Sequence, residues 1–359
     1  MATQAPAPIA QARAPQQPRL ALLGTGTVGR AFVARHQRLL QCGIALPVFE
    51  LLANSRGSFD CDGAPDLALQ IAIDALRGDE PHQVDAARLR RGDIVVDATA
   101  SDAVASRHAE WLSRGIRVVT ANKLGNGADL LRAQAIARAQ REGHAQYGDS
   151  ATVGAGLPLL RSIRELVAGG DRIHAVEGVL SGSLAWLFDR YDGMRPFSSF
   201  VREAREAGYT EPDPRIDLSG EDVRRKLLIL ARAAGIALEA HEIRVDSLVP
   251  SGLAALADDT FDSGLPSLDA PLRERYQEAY RDGAKLRFVG CFGSDGASVG
   301  LQALPADHPL CGGSGTDNRV AIRSDRYADQ PLVIQGPGAG AEVTAASLLD
   351  DVLRIAQTP

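Results

Sequence analysis

A glycine-rich hexapeptide between a short apolar run and an amphipathic segment constrains the fold of this chain more than any other feature. Between RLALL and RAFVARHQRLL stand Gly24, Thr25, Gly26, Thr27, Val28 and Gly29. This is the GxGxxG pattern, whose glycines permit a tight turn, admit a pyrophosphate close to the backbone and pack helix on strand. Backbone N–H groups at the start of the helix then face the phosphates. The pattern predicts a dinucleotide-binding turn; a glycine-rich turn without a ligand is the alternative.

The alternation of strand and helix continues beyond this turn. PVFELLANSR, DIVVDATAS and IRVVTANK have the apolar, β-branched composition of buried strands. AVASRHAEWLSRG and ADLLRAQAIARAQREG are predicted helices, closed by Gly115 and Gly143. Such alternation is typical of an α/β fold with a doubly wound parallel sheet, the Rossmann dinucleotide-binding domain. We predict this domain over residues 19–148.

The pattern changes in the second half of the chain. A helix with Pro158 in its first turn is followed by a strand, and further helices are predicted around 184–191, 197–207 and 219–234. KLRFVGCF, ASVGLQALP, RVAIRS and PLVIQG are predicted strands of a second, mixed sheet. We predict an α+β catalytic and dimerisation domain over 149–340, and a final helix in 341–359 that packs back on the first domain.

Composition excludes several classes of partner. The formal net charge of −6 gives no support for nucleic-acid binding. The four scattered cysteines argue against disulfide and zinc scaffolds and suit a reducing cytoplasm. No apolar run approaches the roughly 20 residues that span a membrane. Residues 1–18 are rich in Ala, Pro and Gln and are predicted to be a disordered tail rather than a signal peptide.

The end of the second strand bears on cofactor choice. NAD-binding folds usually carry an acidic residue there, but this chain has Asn54 and Arg56. An arginine pairs with the 2′-phosphate of NADP, so we predict NADP, with NAD as the alternative. DATAS and TANK end the next two strands, and Thr99, Ser101 and Lys123 are expected to face the cofactor because ligands bind beyond the carboxyl ends of such strands.

The segment SATVGAGLP, residues 150–158, joins the two regions. It is either a tight hinge or a backbone-lined floor of the cleft. Exposed carbonyl oxygens in such a segment are suitable ligands for a hard cation.

The segment GYTEPDPRIDLSGEDVRRK, residues 208–226, combines two prolines with five carboxylates. The prolines predict an extended loop that presents Glu211 and Asp213. Ser219 is predicted to cap the following helix, which places Asp222 and Lys226 on one face. An exposed ion pair worth about 0.3–0.5 kcal/mol is one interpretation. A lysine tuned for proton transfer at the edge of the core is the other.

These residues resemble homoserine dehydrogenase over about residues 19–357. The most specific element is AREAGYTEPDPRIDLSGEDVRRK, residues 204–226, and GTGTVG, TANK, TVGAGLP, LSGSL and GPGAG follow the family's order. LSGSL and GYTEPDPR are most similar to the dehydrogenase half of bifunctional aspartokinase–homoserine dehydrogenases. We expect a monofunctional enzyme without an ACT domain.

The resemblance implies NAD(P)-dependent interconversion of L-homoserine and L-aspartate 4-semialdehyde in threonine, methionine and isoleucine biosynthesis. It implies Lys226 as general acid/base with Lys123 beside the nicotinamide and substrate. It further implies a small-molecule substrate and a homodimer formed through the second sheet. Substrate-binding roles fall on Glu211, which would meet the substrate ammonium, and on Asp217 and Asp222.

Two further sites follow from the resemblance alone. Gly340 of GPGAG closes on the cofactor. A monovalent cation such as Na⁺ is held mostly by backbone carbonyls at Val153, Ala155 and Leu157. Many relatives have Glu where this chain has Ser150, so the cation either binds more weakly or uses the neighbouring Asp149.

Two rival functions remain open at the level of sequence. Another Rossmann-type amino-acid dehydrogenase, such as aspartate-semialdehyde dehydrogenase, would need a nucleophilic cysteine near the cleft. A non-catalytic NADP(H)-binding sensor would keep the glycine hexapeptide but would not need Lys226. For the substrate carboxylate, the backbone N–H groups of the SGS turn, residues 181–183, are the suggested partners.

Overall fold

A computed structural model describes residues 17–76, 88–258 and 260–357. Most of the predicted N-terminal tail, residues 1–16, lies outside the described residues. Within those ranges, every helix is too short or too polar to cross a lipid bilayer.

The first sheet confirms the predicted parallel α/β fold. Its strands run in the order β3-β2-β1-β4-β5-β6. All neighbours pair in parallel except β2 and β3, which form an antiparallel hairpin at one edge that we did not predict. The strands are β1 (Arg19–Leu23), β2 (Val48–Asn54), β3 (Gly57–Asp60), β4 (Ile94–Asp97), β5 (Arg117–Thr120) and β6 (Tyr147–Gly148).

In the part of the chain that the structure describes, these strands are connected by the helices α1 (Thr27–Gln41), α2 (Pro65–Asp74), α3 (Asp102–Ala105), α4 (His108–Ser113) and α5 (Leu130–Gly143). The single helix predicted before Gly115 is two short helices, α3 and α4. Gly115 ends the second one with a φ of 77°, as predicted.

Helix α5 ends at Gly143, as predicted, but Gly143 does not supply the left-handed cap. The left-handed residue at the end of α5 is His144, with a φ of 49°. A Cβ atom at Gly143 would lie 1.8 Å from the carbonyl oxygen of Leu112. Glycine is therefore needed there because α4 and α5 approach closely, which a local sequence pattern does not reveal.

The second sheet has the order β12-β11-β7-β9-β10-β8 and is mixed, as predicted, because β8 and β10 pair in parallel. Its strands are β7 (Ile173–Val179), β8 (Ile243–Val245), β9 (Ala284–Gly293), β10 (Gly296–Pro305), β11 (Asp317–Ser324) and β12 (Leu332–Pro337). The accompanying helices are α6 (Leu159–Ala168), α7 (Gly182–Arg190), α8 (Phe197–Glu206), α9 (Arg215–Leu218), α10 (Glu221–Ala233), α11 (Ser251–Ala254), α12 (Phe261–Gly264) and α13 (Asp269–Arg281). Pro158 directly precedes α6 rather than lying within its first turn.

The last helix, α14 (Ala341–Ala356), follows the second sheet in sequence but packs on the first. Its residues Leu348 and Val352 are fully buried in one core with Leu20 of β1 and Phe32 of α1. The chain therefore crosses between the two sheets twice, once at residues 149–157 and once before α14.

Helix α10 contains two of the predicted site residues, Asp222 and Lys226. Leu227 and Leu230 are fully buried and Val223 is nearly so, in the core beneath the second sheet. Burial of this face by the hydrophobic effect fixes the rotation of the helix. Asp222 and Lys226, one turn apart, are consequently held at the edge of the core.

Candidate active site

A cavity of about 840 Å³ opens at the carboxyl ends of β1, β2 and β4. Seven of the predicted cofactor residues line it: Gly24, Thr25, Gly26, Asn54, Arg56, Thr99 and Ser101. Thr27, Val28 and Gly29 are in the first turn of α1 and do not line the cavity, and Lys123, also predicted to face the cofactor, does not line it either.

The glycine turn has the close backbone approach that a dinucleotide requires. Gly24 has a φ of 98°, and a Cβ atom there would lie 2.9 Å from the carbonyl oxygen of Ala98. A Cβ atom at Gly29 would lie 1.9 Å from the Gly24 carbonyl oxygen. No side chain caps the N-terminus of α1, so its first N–H groups are available to phosphates. The turn therefore fits the pyrophosphate of a dinucleotide.

The walls of the cavity are cationic. Among the described residues, Arg30, Arg56 and Arg107 line it and no carboxylate does. Glu50, the acid closest in sequence to the end of β2, forms an ion pair with Arg19, with 2.7 Å between Glu50 Oε1 and Arg19 Nη1. The charge of the cavity suits a polyphosphate ligand.

Asn54 is a structural link at the end of β2. Its Nδ2 group donates to Thr25 Oγ1 at 2.9 Å and to the Ala72 carbonyl at 2.8 Å, and its Oδ1 atom accepts from the Arg56 amide at 2.8 Å. The side chain thus ties the glycine turn to β2 and orients the loop that carries Arg56.

A fully buried carboxylate, Asp97, organises the floor of the cavity, and sequence analysis missed it. One oxygen accepts from the backbone and hydroxyl of Thr99 at 2.9 and 2.7 Å. The other lies 3.0 Å from both Asn122 Nδ2 and His108 Nε2. The Thr99 hydroxyl therefore already donates its hydrogen bond to Asp97. An acid or amide ending an apolar strand, as in DIVVD and VVTAN, is the available sequence signal.

His108 extends this buried network. It is fully buried, and its Nδ1 atom lies 3.0 Å from the Tyr147 hydroxyl. Burial, followed by the nearby charges of Asp149 and Asp97, raises the pKa of Tyr147 well above its usual value. The hydroxyl therefore stays protonated, and the His108 ring links it to the Asp97 carboxylate.

Two lysines, one in the loop after β5 and one on α10, meet at one carboxylate. Lys226 is 8% exposed; its Nζ atom donates to the Leu180 carbonyl at 2.7 Å and lies 2.8 Å from Asp222 Oδ2. Lys123 Nζ lies 3.3 Å from Asp222 Oδ1. Burial alone would raise the pKa of the Asp222 carboxyl, but the two ammonium groups outweigh burial and hold that pKa well below its usual range.

Asp217 is the centre of a second polar cluster beside these lysines. Its Oδ1 atom accepts from Ser183 Oγ at 2.6 Å, and Ser183 Oγ lies 2.9 Å from Ser181 Oγ. Its Oδ2 atom accepts from the backbone N–H of Glu211 at 2.9 Å. Asp217 thus holds the loop of Glu211 against the start of α7, and the Glu211 side chain is exposed toward solvent.

The predicted helix cap at Ser219 was wrong. Helix α10 begins at Glu221, and its N-cap is Gly220 with a φ of 79°. A Cβ atom at Gly220 would lie 2.9 Å from the ring of Phe288. The Ser219 hydroxyl instead donates to the Ile216 carbonyl and accepts from the Glu221 amide. The preceding loop is also less extended than predicted, because Pro214 starts the short helix α9 and Asp213 binds Arg215 at 2.9 Å.

The segment between the two sheets is tied down by two buried carboxylates. Asp149 is fully buried. It forms an ion pair with Arg164 and accepts a hydrogen bond from the side-chain amide of Asn126 at 2.8 Å. Burial raises the pKa of this carboxyl, but Arg164 and Asn126 outweigh burial and lower it. Asp351 of α14 accepts from the Ser150 amide and hydroxyl at 3.0 and 2.9 Å. Both oxygens of Asp149 therefore already have partners.

Of the three residues predicted to hold a cation through their carbonyl oxygens, one, Ala155, has an unusual backbone conformation. Ala155 has a φ of 49°, unusual for a residue with a side chain. The Leu157 carbonyl accepts from the Leu159 amide at 2.8 Å. Among the described residues, no group of three or more His, Cys, Asp or Glu side chains is arranged to hold a metal ion. Any cation here would depend on backbone oxygens and Ser150.

Gly340 lies at the N-terminus of α14, with a φ of 127°, and outside the cavity lining. A Cβ atom at Gly156 would lie 2.7 Å from Val343 of the same helix. The GPGAG segment and the segment between the sheets are therefore adjacent.

None of the four cysteines lines the cavity. Burial, reinforced by nearby acids, raises the pKa of the Cys61 thiol to about 12, and burial also raises the pKa of Cys311. A nucleophilic cysteine needs an accessible thiolate. The described cleft therefore lacks the group that the aspartate-semialdehyde dehydrogenase reaction requires.

Comparison with known families agrees with this geometry. A family model described as "Homoserine dehydrogenase" matches residues 158–353, and "Homoserine dehydrogenase, NAD binding domain" matches residues 24–148. The chain belongs to the homoserine dehydrogenase family. The resemblance predicted from the GYTEPDPR segment is confirmed.

Individual relatives support the assignment. Homoserine dehydrogenase of Schizosaccharomyces pombe is 40% identical over 73% of this chain and 72% of its own length. The bifunctional aspartokinase/homoserine dehydrogenase 2 of Zea mays is 46% identical over 73% of this chain, which spans 29% of that relative. A Candida auris protein of unknown function, 34% identical, has the same fold with a TM-score of 0.83 over 95% of this chain and 98% of its own.

Proposed function

We propose that this chain catalyses the NAD(P)-dependent interconversion of L-homoserine and L-aspartate 4-semialdehyde in threonine and methionine biosynthesis. The observation that carries the proposal is the cluster in which Lys226 and Lys123 share the carboxylate of Asp222. Only three lysines occur among 39 basic residues, and two of them are in this cluster. Arginine cannot release a proton at ordinary pH, whereas lysine can, which supports a role in proton transfer.

In the proposed mechanism, Lys226 is the general acid/base. A bound nicotinamide cofactor would supply or accept the hydride. Lys226 Nζ donates a proton to the substrate oxygen during reduction and removes it during oxidation. The Leu180 carbonyl and Asp222 orient this amine through bonds of 2.7 and 2.8 Å. Lys123 adds positive charge where negative charge develops on the oxygen.

The proposed substrate contacts use opposite charges at opposite ends of the amino acid. Glu211 and Asp217 bind the ammonium group, and Asp217 keeps the Glu211 loop in place. Backbone N–H groups at the start of α7, residues 182–183, bind the carboxylate, since the first N–H groups of a helix lack intrahelical partners.

NADP is the proposed cofactor, with Arg56 as the partner of its 2′-phosphate. The support is the cavity wall, which holds three arginines and no acid among the described residues. A 2′-hydroxyl in NAD is usually bound by a carboxylate at the end of β2, where this chain has Asn54.

We further propose a monovalent cation at the carbonyls of Val153, Ala155 and Leu157, with the Ser150 hydroxyl as an added ligand.

The protein is proposed to be a cytoplasmic homodimer whose two subunits contact each other through the outer face of the second sheet. Val333 on that sheet is 36% exposed, and the four cysteines are free thiols, which suits a reducing compartment.

Homoserine-dependent reduction of NADP⁺ and NAD⁺ tests the reaction directly, with absorbance of the reduced nicotinamide as the readout. We expect turnover with both and a higher kcat/KM for NADP⁺. Binding of NADPH without turnover in either direction would contradict the proposal and favour a non-catalytic sensor.

A further inference from the structure

The two halves of the molecule make a second contact away from the reacting groups, at the far end of α10. Arg232 exposes only 7% of its side chain to solvent. Its Nη1 group donates to the carbonyls of Asn126 and Ala128 at 2.6 and 2.7 Å. Both carbonyls belong to residues 123–130, the segment that follows β5, which we name the docking loop.

The other nitrogens of Arg232 bind the chain that follows its own helix. Nε and Nη2 donate to the Leu238 carbonyl at 3.2 and 2.9 Å, and Nη2 lies 3.4 Å from Glu239 Oε2. The Glu239 carboxylate also accepts from the Leu130 amide at 3.1 Å. The guanidinium therefore joins the docking loop, the end of α10 and the segment beyond it.

The docking loop lies flat along α10. A Cβ atom at Gly127 would lie 2.6 Å from Arg225 Cγ and 3.1 Å from Ile229 Cδ1. Positions 222, 225–226, 229 and 232–233 share one helix face. The loop thus runs from Asp222 to Arg232, a length of about 15 Å along the helix axis.

Lys123 is at one end of this loop and the Arg232 contacts are at the other. The Gly127 amide donates to the Lys123 carbonyl at 2.8 Å, which closes a turn between the two ends. The Asn126 side chain also binds Asp149, where the chain crosses between the sheets. Displacement of residues 126–128 would therefore move the backbone of Lys123.

We propose that Arg232 is a positioning residue that docks residues 123–130 along α10 and so holds Lys123 Nζ beside Asp222 and Lys226. It acts from about 15 Å away and touches neither reacting group. This inference rests on the proposed function for the roles of Lys123 and Lys226. The contacts of Arg232 with the carbonyls of Asn126 and Ala128 do not depend on which substrate the protein uses.

The test compares Arg232→Gln and Arg232→Lys with Arg224→Gln. Arg224 is on the same helix but pairs with Glu221 and with the Ala240 carbonyl, both on its own side of the cleft. We measure hydrogen exchange of peptides covering residues 123–130, kcat and KM for homoserine, the Kd for NADPH, and the Tm.

We expect Arg232→Gln to speed exchange across residues 123–130 at least tenfold and to lower kcat about 10–100-fold, because small misplacements of a catalytic group cost that much. The Kd for NADPH should stay within about threefold, since the cavity lies on other loops. Arg232→Lys, which can still donate to one or two carbonyls, should recover part of kcat, and Arg224→Gln should match the wild type.

Two results would overturn the proposal. One is unchanged exchange at residues 123–130 in Arg232→Gln; the other is faster exchange with an unchanged kcat. If Arg232→Gln does not fold, Gly127→Ala tests the same contact, and normal exchange at residues 123–130 together with a normal kcat in that variant would equally overturn the proposal. A wild type without homoserine activity would refute the proposed function, while the exchange data would still decide the docking.

Discussion

The Nζ atom of Lys123 lies 3.3 Å from Oδ1 of Asp222. This ion pair joins the loop after β5 of the first sheet to helix α10, which packs on the second sheet. Asp222 also forms an ion pair with Lys226, which lies one turn further along α10. One carboxylate thus brings together two ammonium groups that would otherwise repel each other, and its negative charge lowers the cost of keeping both in a partly dry cleft.

Replacement of Lys226 by alanine should abolish turnover, with a loss of about 10²–10⁴-fold or more in kcat. The Kd for NADPH should change little, because Lys226 lies outside the dinucleotide cavity. Steady-state kinetics and NADPH titration measure the two effects. Lys285→Ala is a matched control, since that lysine is exposed on β9. Near-normal activity in Lys226→Ala would reject the assignment of general acid/base.

Glu211→Ala should raise the KM for homoserine about 10–100-fold, because a charged hydrogen bond contributes about 1.5–3 kcal/mol. Glu211→Asp should raise it less, since the charge is kept and only the reach is shortened. The exposed Glu206 on the preceding helix offers a control, Glu206→Ala. An unchanged KM in both Glu211 variants would show that the ammonium binds elsewhere.

Arg56→Ala should raise the KM for NADPH about tenfold while leaving that for NADH nearly unchanged, because only NADPH carries the 2′-phosphate. The difference should shrink at high salt as ions screen the pair. Initial rates with both cofactors measure it, and Arg38→Ala, an exposed arginine of α1, controls for the loss of charge. Equal effects on the two cofactors would contradict a role in 2′-phosphate binding.

Asp149→Asn should destabilise the protein, by about 2–3 kcal/mol at neutral pH, because it leaves Arg164 without its buried partner. This is less than for a fully buried pair, since the Arg164 side chain is 40% exposed.

The same pair predicts a pH dependence. The pKa of Asp149 is lower in the folded protein than in the unfolded chain, so the pair stabilises above the unfolded value of about 3.9 and is lost as pH falls through the folded value. The difference in Tm between wild type and Asp149→Asn should therefore be full at pH 7 and shrink below about pH 4. A difference that grows toward acid pH would contradict this.

Local patterns predicted four of the six strands of the first sheet, missing β3 and β6, and most of the second. The run IVV in β4 and the glycine turn after β1 carry their information in adjacent residues, so composition and spacing were enough. The misassigned caps at Gly143 and Ser219 have one cause. Gly143 is needed because α4 passes within contact of α5, and Gly220 is held against Phe288 of β9. Neither neighbour is close in sequence.

The amino-acid sequence alone determined that a dinucleotide turn would form, that the strands would alternate with helices, and that Lys226 would share a helix face with Asp222. These are consequences of backbone sterics and of a 3.6-residue period, which act over a few residues. The tertiary structure decided that Lys123 reaches the same carboxylate, that Asp97 collects Thr99, Asn122 and His108, and that Arg232 fastens one half to the other. Those contacts join residues far apart in the chain, and burial in a common core is what brings them together.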